Sequence, residues 1–426
     1  MSSMLRKTQV CVLGGGTAGS AVARFASEAG LDVVCVDQRP RDRAGARWVN
    51  GIPNWTWDEV GLEKPLEPEL RGNSQRFHLV AGMDGPRISV EGHQSQEVDM
   101  RLLAERLRSG AEAAGAEFLF DTTVKNVADG VVSCGALTIE SEFIVDASGL
   151  GGCNLLENEK VKKADICAAA QEVRGCDSVE GLEFFAKNGA RDHEALCFSG
   201  VAGGFSILNV HLRGDLINIL TGSVPGDGHP SGRKMLDNFV ASQPWIGTRQ
   251  FGGSAAIPIR RPFDTLARGR VAAVGDAACQ VFPAHGSGIT PQLLAAKMLA
   301  THIAGGEGLE GYEREYQRTW GGLSASYDVF RKFSQQLALE DLAGLMEAGI
   351  MTPETSRTAI EQRLPEVPAP SQIKDYARGL AQQPALAAQL LKVAGAMLAV
   401  RQLYRVYPDA GPLRAMWSRS VARLVG

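Results

Sequence analysis

Three segments hold residue types whose spacing suits the binding of an anionic cofactor. Gly275-Asp-Ala-Ala-Cys-Gln-Val-Phe-Pro-Ala-His-Gly-Ser-Gly-Ile-Thr-Pro291 follows the apolar run Val271 to Val274 and leads into an apolar stretch from Thr290. An aspartate leaving a strand, followed by a proline and a glycine-rich turn into a helix, can hold a phosphate or a reduced, negatively charged ring. The first N–H groups of a helix lack partners and carry partial positive charge. Taken alone, the segment also reads as an ordinary strand–helix connection. In Gly14-Gly-Gly-Thr-Ala-Gly19, Gly14 suits the turn, Gly16 the close approach of a pyrophosphate and Gly19 the packing of helix on strand. Asp37 suits ribose hydroxyls and disfavours a 2′-phosphate, which selects an adenine dinucleotide of the NAD or FAD kind over NADP. The third segment, Phe143-Ile-Val-Asp-Ala-Ser-Gly149, is a strand ending in small residues that lets backbone pass close to a cofactor, with a tight turn as the alternative.

These residues need particular elements to hold them. Val10 to Leu13 reads as a strand, Ser20 to Ala29 as a helix ended by Gly30, and Leu31 to Val36 as a second strand, the βαβ unit that the first glycine motif requires. Val98-Asp-Met-Arg101 opens a helix over Leu102 to Ala114. Between Ala164 and Ile259 the pattern alternates; Phe205 to Leu212 and Leu216 to Thr221, joined by Arg213-Gly-Asp215, read as an antiparallel hairpin in a second sheet. Gly253 to Pro262 returns the chain to the strand at Val271. After Gly305 the sequence reads as helical over Gly321 to Gly349, Pro353 to Arg363 and Pro384 to Tyr404, with Thr352 as N-cap before Pro353. The linker Leu364-Pro-Glu-Val-Pro-Ala-Pro370 divides this tail, whose last part sets Lys392, Arg401, Arg405, Arg414, Arg419 and Arg423 against Asp409. Such a stretch fits an anionic membrane surface, a lid over a pocket, or a helix packed on its own domain with a solvated basic face.

The 426 residues, 44% hydrophobic and 22% charged, suffice for two domains or one large domain with an insertion. A net charge of −4 argues against nucleic acid as a partner. Eight scattered cysteines without a Cys-x-x-Cys pair imply neither a disulfide framework nor a metal site. No signal-peptide core precedes the first strand, so the cytoplasm is the expected compartment. No apolar run is expected to span a bilayer.

The set GGGTAG, DASG and GDAACQVFPAHGSGI, in this order and at these separations, resembles the FAD-dependent superfamily of geranylgeranyl reductases, flavin-dependent halogenases and aromatic hydroxylases of the p-hydroxybenzoate type. Pro283-x-x-Gly286-x-Gly288-Ile289 is most similar to the geranylgeranyl reductase-like branch. The resemblance implies an α/β fold, α+β in the second domain. A Rossmann-like FAD-binding domain with a parallel sheet would span 4–163 and 253–320. An antiparallel substrate domain would be built from the excursion 39–97 and from 164–252, and a helical region would span 321–426. It further implies FAD, with the adenosine end at Gly14, Gly16, Thr17, Ala18, Gly19, Asp37, Gln38, Arg101 and Val124. Ala147, Ser148 and Gly149 would lie alongside, Gly275 and Asp276 at the ribityl chain or pyrophosphate, and Pro283, Gly286, Gly288 and Ile289 at the flavin. The helix after Gly288 would aim its N-terminus at the pyrimidine edge of the ring.

Catalytic candidates by the same resemblance are His285 and Pro283 beside the ring and Arg47, Trp48 and Asn50 on its opposite face. A histidine held by backbone and a surface turn are the respective alternatives. The chain also departs from its relatives. No cysteine stands near Arg47, Trp55-Thr-Trp57 comes too early for the halogenase signature, and Gly149 is followed by Leu-Gly-Gly-Cys-Asn without the hydroxylases' arginine. Without a second dinucleotide motif, the expected electron donor is transient: NAD(P)H, ferredoxin or a flavin reductase. The expected function is hydride transfer to or from a small or hydrophobic organic substrate under the second sheet. The alternatives are a monooxygenase hydroxylating an aromatic substrate, an FAD-binding scaffold or sensor, and an NAD-dependent dehydrogenase. The expected location is cytoplasmic, with peripheral membrane contact through the basic tail as an added option.

Overall fold

The computed structural model describes residues 4–73, 76–364 and 370–426, which leaves 365–369 of the proline-rich linker outside the described residues. Val10 to Leu13 and Val33 to Val36 are apolar at every position and buried on both faces, the mark of strands in a parallel sheet covered on both sides. Met4–Leu13 pairs in parallel with Val33–Val36 on one side and Leu137–Asp146 on the other; Glu117–Leu119 and Val271–Ala273 extend the sheet outward. Side chains alternate between the faces. Val10, Val12, Val33 and Cys35 meet the helices Thr17–Glu28, Met100–Ala113 and Ile289–Ala304. Cys11, Leu13, Val34 and Val36 meet the small ribbon carrying Val127 and Val132.

The second sheet has seven strands, in the order 246–258, 166–176, 216–223, 206–213, 195–199, 76–81 and 87–91. The expected hairpin is present as Ser206–Arg213 paired with Leu216–Ser223. Ile246–Pro258 pairs along its length with Ile166–Cys176, so the chain stays in this sheet to Pro258 and not only to the expected boundary at 252. One face packs under the helices Ser178–Lys187 and Gly232–Ser242 through Phe185, Leu236, Phe239 and Trp245. The other faces the first domain. A three-stranded sheet of Val49–Pro53, Ser95–Asp99 and Leu70–Asn73 lies between the two bodies. It is fixed by the Gln171 amide, which accepts from Val49 N–H at 3.0 Å and donates to Val49 C=O at 2.8 Å.

The C-terminal region is helical, but the run expected over 321–349 is broken. Gly322–Ser334 and Leu339–Glu347 are separate helices. The break at Gln335 lets its side chain donate to Ala164 C=O and sets Leu339 and Leu342 against Gly200 of the second sheet. Thr352 caps Pro353–Ile360 as expected, accepting from Thr355 N–H at 3.2 Å. Pro384–Arg405 corrects another expectation: its 22 residues, at a hydropathy of 1.2, are long and apolar enough to cross a membrane. Here the helix packs sideways through Val400 and Tyr404.

Arg331, 1% exposed, binds the three regions together. It donates to Asp165 at 2.7 Å and to Asp328, which in turn accepts Arg261 N–H at 2.9 Å. Removing one member of a buried ion cluster leaves uncompensated charge, at a cost of about 3–5 kcal/mol. Arg331→Met is expected to lower unfolding stability by that amount in urea titrations, more than Arg24→Met, whose ion pair is at the surface.

Candidate active site

The order of the parallel strands reverses beside Met4–Leu13, because the chain moves to one neighbour through the first helix and reaches the other much later. In open α/β sheets such a switch point is where ligands bind, outside the carboxyl ends of the strands. Gly14, Asp37, Ala147 and Gly275 all lie at that edge. Their contact is made by main chain. A Cβ at Gly14 (φ +109°) would lie 2.4 Å from Ala147 O, one at Gly19 would lie 1.8 Å from Gly14 O, and one at Gly275 (φ +77°) would lie 2.8 Å from Ala18 Cβ. Gly45, from the excursion, closes over Gly16, where a Cβ would stand 3.5 Å from Gly45 Cα. The helices starting at Thr17 and Ile289 have no side-chain N-cap, so two open, partially positive N-termini share one edge.

Asp37 accepts Gly15 N–H at 2.7 Å through one carboxylate oxygen and Arg39 N–H at 2.7 Å through the other. Gln38 beside it is exposed, and Val124 packs on the cluster under Leu13 and Val36. Asp146 shapes the turn after the third segment, accepting from Ser148 N–H at 3.1 Å and Leu155 N–H at 3.0 Å. The Ser148 hydroxyl is absorbed in the same turn, donating to Asp146 and accepting Cys153 N–H at 2.7 Å. Asp276 accepts from the Gln292 amide at 2.8 Å. Protein surrounds its carboxyl, and this desolvation raises its pKa to about 6, with Gln292 opposing.

His285 keeps an open face although protein encloses it, as befits a side chain lining a cleft. Burial lowers its pKa to about 4, against the pull of the Ala359 backbone, so the imidazole is neutral near pH 7. Its Nδ1 accepts Ser287 N–H at 3.3 Å. The ring is thus tied to backbone at Ser287 and Ala359. Pro283 is buried within the turn closed by Phe282 N–H to Ser287 C=O at 2.9 Å. Arg47 donates to Asp42 C=O, Asn50 sits opposite Val98 in the three-stranded sheet, and the indole N–H of Trp48 is buried without a partner among the described residues.

Arg101 is not brought to this edge. Its guanidinium pairs with Asp99 at 2.7 Å and stacks 3.5 Å over Phe251. Two turns further along the same helix, Arg108 is the arginine that arrives, donating to Gly15 C=O at 2.9 Å and to Arg41 C=O at 2.9 Å. Seven residues is two helical turns, so both share a face, and only the helix's axial placement separates them. Gly45, Gln171 and Gln292 also escaped the sequence reading: Gly45 meets Gly16 and Gln171 meets Val49 across long separations, and Gln292 stands just past the Gly275–Pro291 segment, its amide in contact with Asp276. The cysteines are all free, and burial pushes Cys11, Cys167 and Cys279 each up to about 12, so they are inert apolar fillers.

These residues fit a dinucleotide carrying a flavin: a cradle of main chain that any Cβ would fill, two open helix N-termini, and the unpartnered Trp48 N–H and Ser287 hydroxyl. No family model matches the chain. It is 26% identical over 450 aligned residues to the digeranylgeranylglycerophospholipid reductase of Sulfolobus acidocaldarius, covering 97% of this chain and 96% of that protein. Among solved structures, it is similar to a geranylgeranyl bacteriochlorophyll reductase-like protein from Thermoplasma acidophilum, with a TM-score of 0.70 at 16% identity over 91% of this chain and 100% of that one. It is also similar to the myxobacterial FAD-dependent chondrochloren halogenase, with a TM-score of 0.63 at 14% identity over 96% and 99% of the two chains. Fold and sequence likeness together support an FAD-dependent oxidoreductase. Among such enzymes its likeness runs to the geranylgeranyl reductase branch.

Gly19→Ala is expected to abolish copurifying flavin absorbance, since its Cβ would strike the Gly14 carbonyl. Asp276→Asn tests the strained carboxyl. A raised folded pKa means that the native state binds more protons than the unfolded one, so stability falls as pH rises from about 4 to 6. In flavin-free protein the variant should flatten that fall and gain about 1–3 kcal/mol at pH 7. Thermal melts from pH 4 to 8 check the sign, and flavin titration should show weaker binding.

Proposed function

We propose that the chain binds FAD across the edge formed by Gly14, Gly19, Asp37 and Asp276 and reduces carbon–carbon double bonds of a hydrophobic, polyisoprenoid-type substrate. One observation carries this reading: the sheet face that meets the flavin loop is apolar. Ile257 and Ile259 lie where a Cβ on Gly286 would be 3.7 and 3.5 Å from them. Beyond them the same face presents Ala169, Gly222 and Ile207 in register. When bound, the flavin supplies hydride to carbon. The chain's own part is to hold the substrate against this face, to exclude water and to aim the helix from Ile289 at the ring. The electron donor is transient, NAD(P)H, ferredoxin or a flavin reductase.

Protein reduced by dithionite without oxygen should convert a geranylgeranyl lipid to products carrying two added hydrogens per double bond, read by mass spectrometry. An oxygenated product that requires air would replace this reading with a monooxygenase, and reduced flavin inert to every prenyl probe would favour a scaffold. Because its imidazole is already neutral, His285 should impose no inflection on the rate between pH 5 and 8. His285→Asn should lower kcat by less than about tenfold, far less than loss of a general acid.

The proposal extends to a peripheral membrane contact. Leu391 and Leu398, 65% and 63% exposed, share a face of Pro384–Arg405 two turns apart, and Leu413 and Met416 are exposed on the next helix. Lys392, Arg405, Arg419 and Arg423 stand exposed among them. Apolar side chains ringed by cations suit an anionic bilayer surface, whereas the shared positive charge opposes self-pairing. Cosedimentation with vesicles containing phosphatidylglycerol, and not with phosphatidylcholine alone, is the expected result, lost in Leu391→Asp/Leu398→Asp. Equal retention of that variant, or a dimer in its absence of lipid, would overturn the contact.

A further inference from the structure

One segment of the C-terminal region, residues 353–363, reaches across the inner side of the second sheet. Leu79, Cys197, Asn209 and Leu220 stand in register on four adjacent strands and so share one side of that sheet. Gln171, which holds Val49, continues the row, so the row looks toward the first domain. At its far end Phe77 and Leu79 pack with Ile360 on the cluster of Ala81 and Ile88. At the flavin loop, the backbone of Ala359 engages His285. Two consecutive residues of the segment thus touch the outer strands of the sheet and the flavin loop. We infer that 353–363 is a strap that closes over the cleft and lifts away as one piece, with Gln362 leaving its closed position only narrowly favoured.

The segment is bonded within itself. Thr352 caps its first turn, and the N–H groups of Glu361, Gln362 and Arg363 donate to Arg357, Ala359 and Thr358 C=O at 2.9, 3.1 and 2.8 Å. Its bonds to the body run chiefly through main chain: Trp55 Nε1–H to Glu361 C=O at 2.9 Å, Tyr327 hydroxyl to Arg363 C=O at 2.6 Å, and Gln94 N–H to Glu361 Oε1 at 3.2 Å. Pro353–Ile360 buries none of its side chains. A unit that keeps its own hydrogen bonds and buries little apolar surface opens locally at far lower cost than global unfolding. On its N-terminal side Gly349 supplies a hinge, with φ +64° and no atom within 4 Å of where a Cβ would stand.

Gln362 sets the balance of this unit. It is 1% exposed, takes the left-handed φ of +54°, and neither atom of its amide has a partner among the described residues. A buried amide that makes no hydrogen bond opposes the state that buries it, and lifting the segment returns it to water. Gln362 therefore works against closure, while Ile360 and the main-chain bonds work for it. The strap governs access to the cleft and stands whichever reaction the flavin performs there.

Hydrogen exchange on the flavin-loaded protein reads the opening directly. Amides of 353–363 are expected to exchange about a hundredfold faster, or more, than those of the buried helix Gly322–Ser334. Gln362→Met, which deletes the amide at nearly constant volume, should slow that exchange about tenfold, and Trp55→Phe, which removes the N–H bound by Glu361, should speed it about fivefold. Passage is read by stopped-flow release of anilinonaphthalene sulfonate, with Leu391→Asp/Leu398→Asp in the background to remove exposed apolar sites for the dye. Release should slow and quicken with the same two variants. If Gln362→Met does not fold, Trp55→Phe decides through faster exchange and faster release together. Exchange in 353–363 as slow as in Gly322–Ser334, or a folded, flavin-retaining variant that leaves dye release unchanged, would overturn the strap. Neither measurement involves turnover, so a failure of the reductase reading leaves both results interpretable.

Discussion

The approach of main chain to main chain at the carboxyl edge of the parallel sheet is the constraint on which the rest of this structure depends. Gly19 lies so close to the Gly14 carbonyl, and Gly14 to that of Ala147, that no side chain fits between them. This contact brings the first helix down onto its strand and aims its N-terminus across the edge. It also forces the turn after Asp146 to curl away through its own hydrogen bonds, which is why Ser148 serves the turn. Gly275 against Ala18 adds the third loop. From there the Ile289–Ala304 helix, buried along most of its length, becomes the central element of the domain.

Polar groups work against stability around this centre and are kept in place by specific partners. The Asp276 carboxyl lies in surroundings that oppose its charge and is steadied by one amide. Arg331 joins Asp165 and Asp328 in the interior, and Gln171 holds the three-stranded sheet at a fixed height over the second one. Buried networks of this kind contribute little to net stability but leave few alternative arrangements of the bodies they connect.

The elements nearest the cofactor edge were legible in the sequence because they rest on local signals. Glycine spacing, a strand running into Asp-Ala-Ser-Gly and a proline before a glycine turn each reflect a backbone requirement within a few residues. What escaped depends on contacts between distant segments. The choice between Arg101 and Arg108 is set by how far the helix slides along the sheet, which periodicity does not encode. The break at Gln335 has no proline or glycine and arises from docking against Ala164. The strand Ile246–Pro258 carries Gly, Ser and Ala on an exposed edge, and only its neighbour's register defines it. The helix Pro384–Arg405 was legible to within one residue, but its scattered Lys392, Arg401 and Arg405 hid how apolar the span as a whole is.

The short helix Pro353–Ile360 buries none of its own side chains. What holds this segment is main chain: Trp55 Nε1–H donates to Glu361 C=O at 2.9 Å, the Tyr327 hydroxyl donates to Arg363 C=O at 2.6 Å, and His285 leans on the backbone of Ala359. Main-chain acceptors are the same whatever residue bears them. Substitutions confined to the exposed side chains of Pro353–Ile360 therefore leave these bonds to Trp55 and Tyr327 in place.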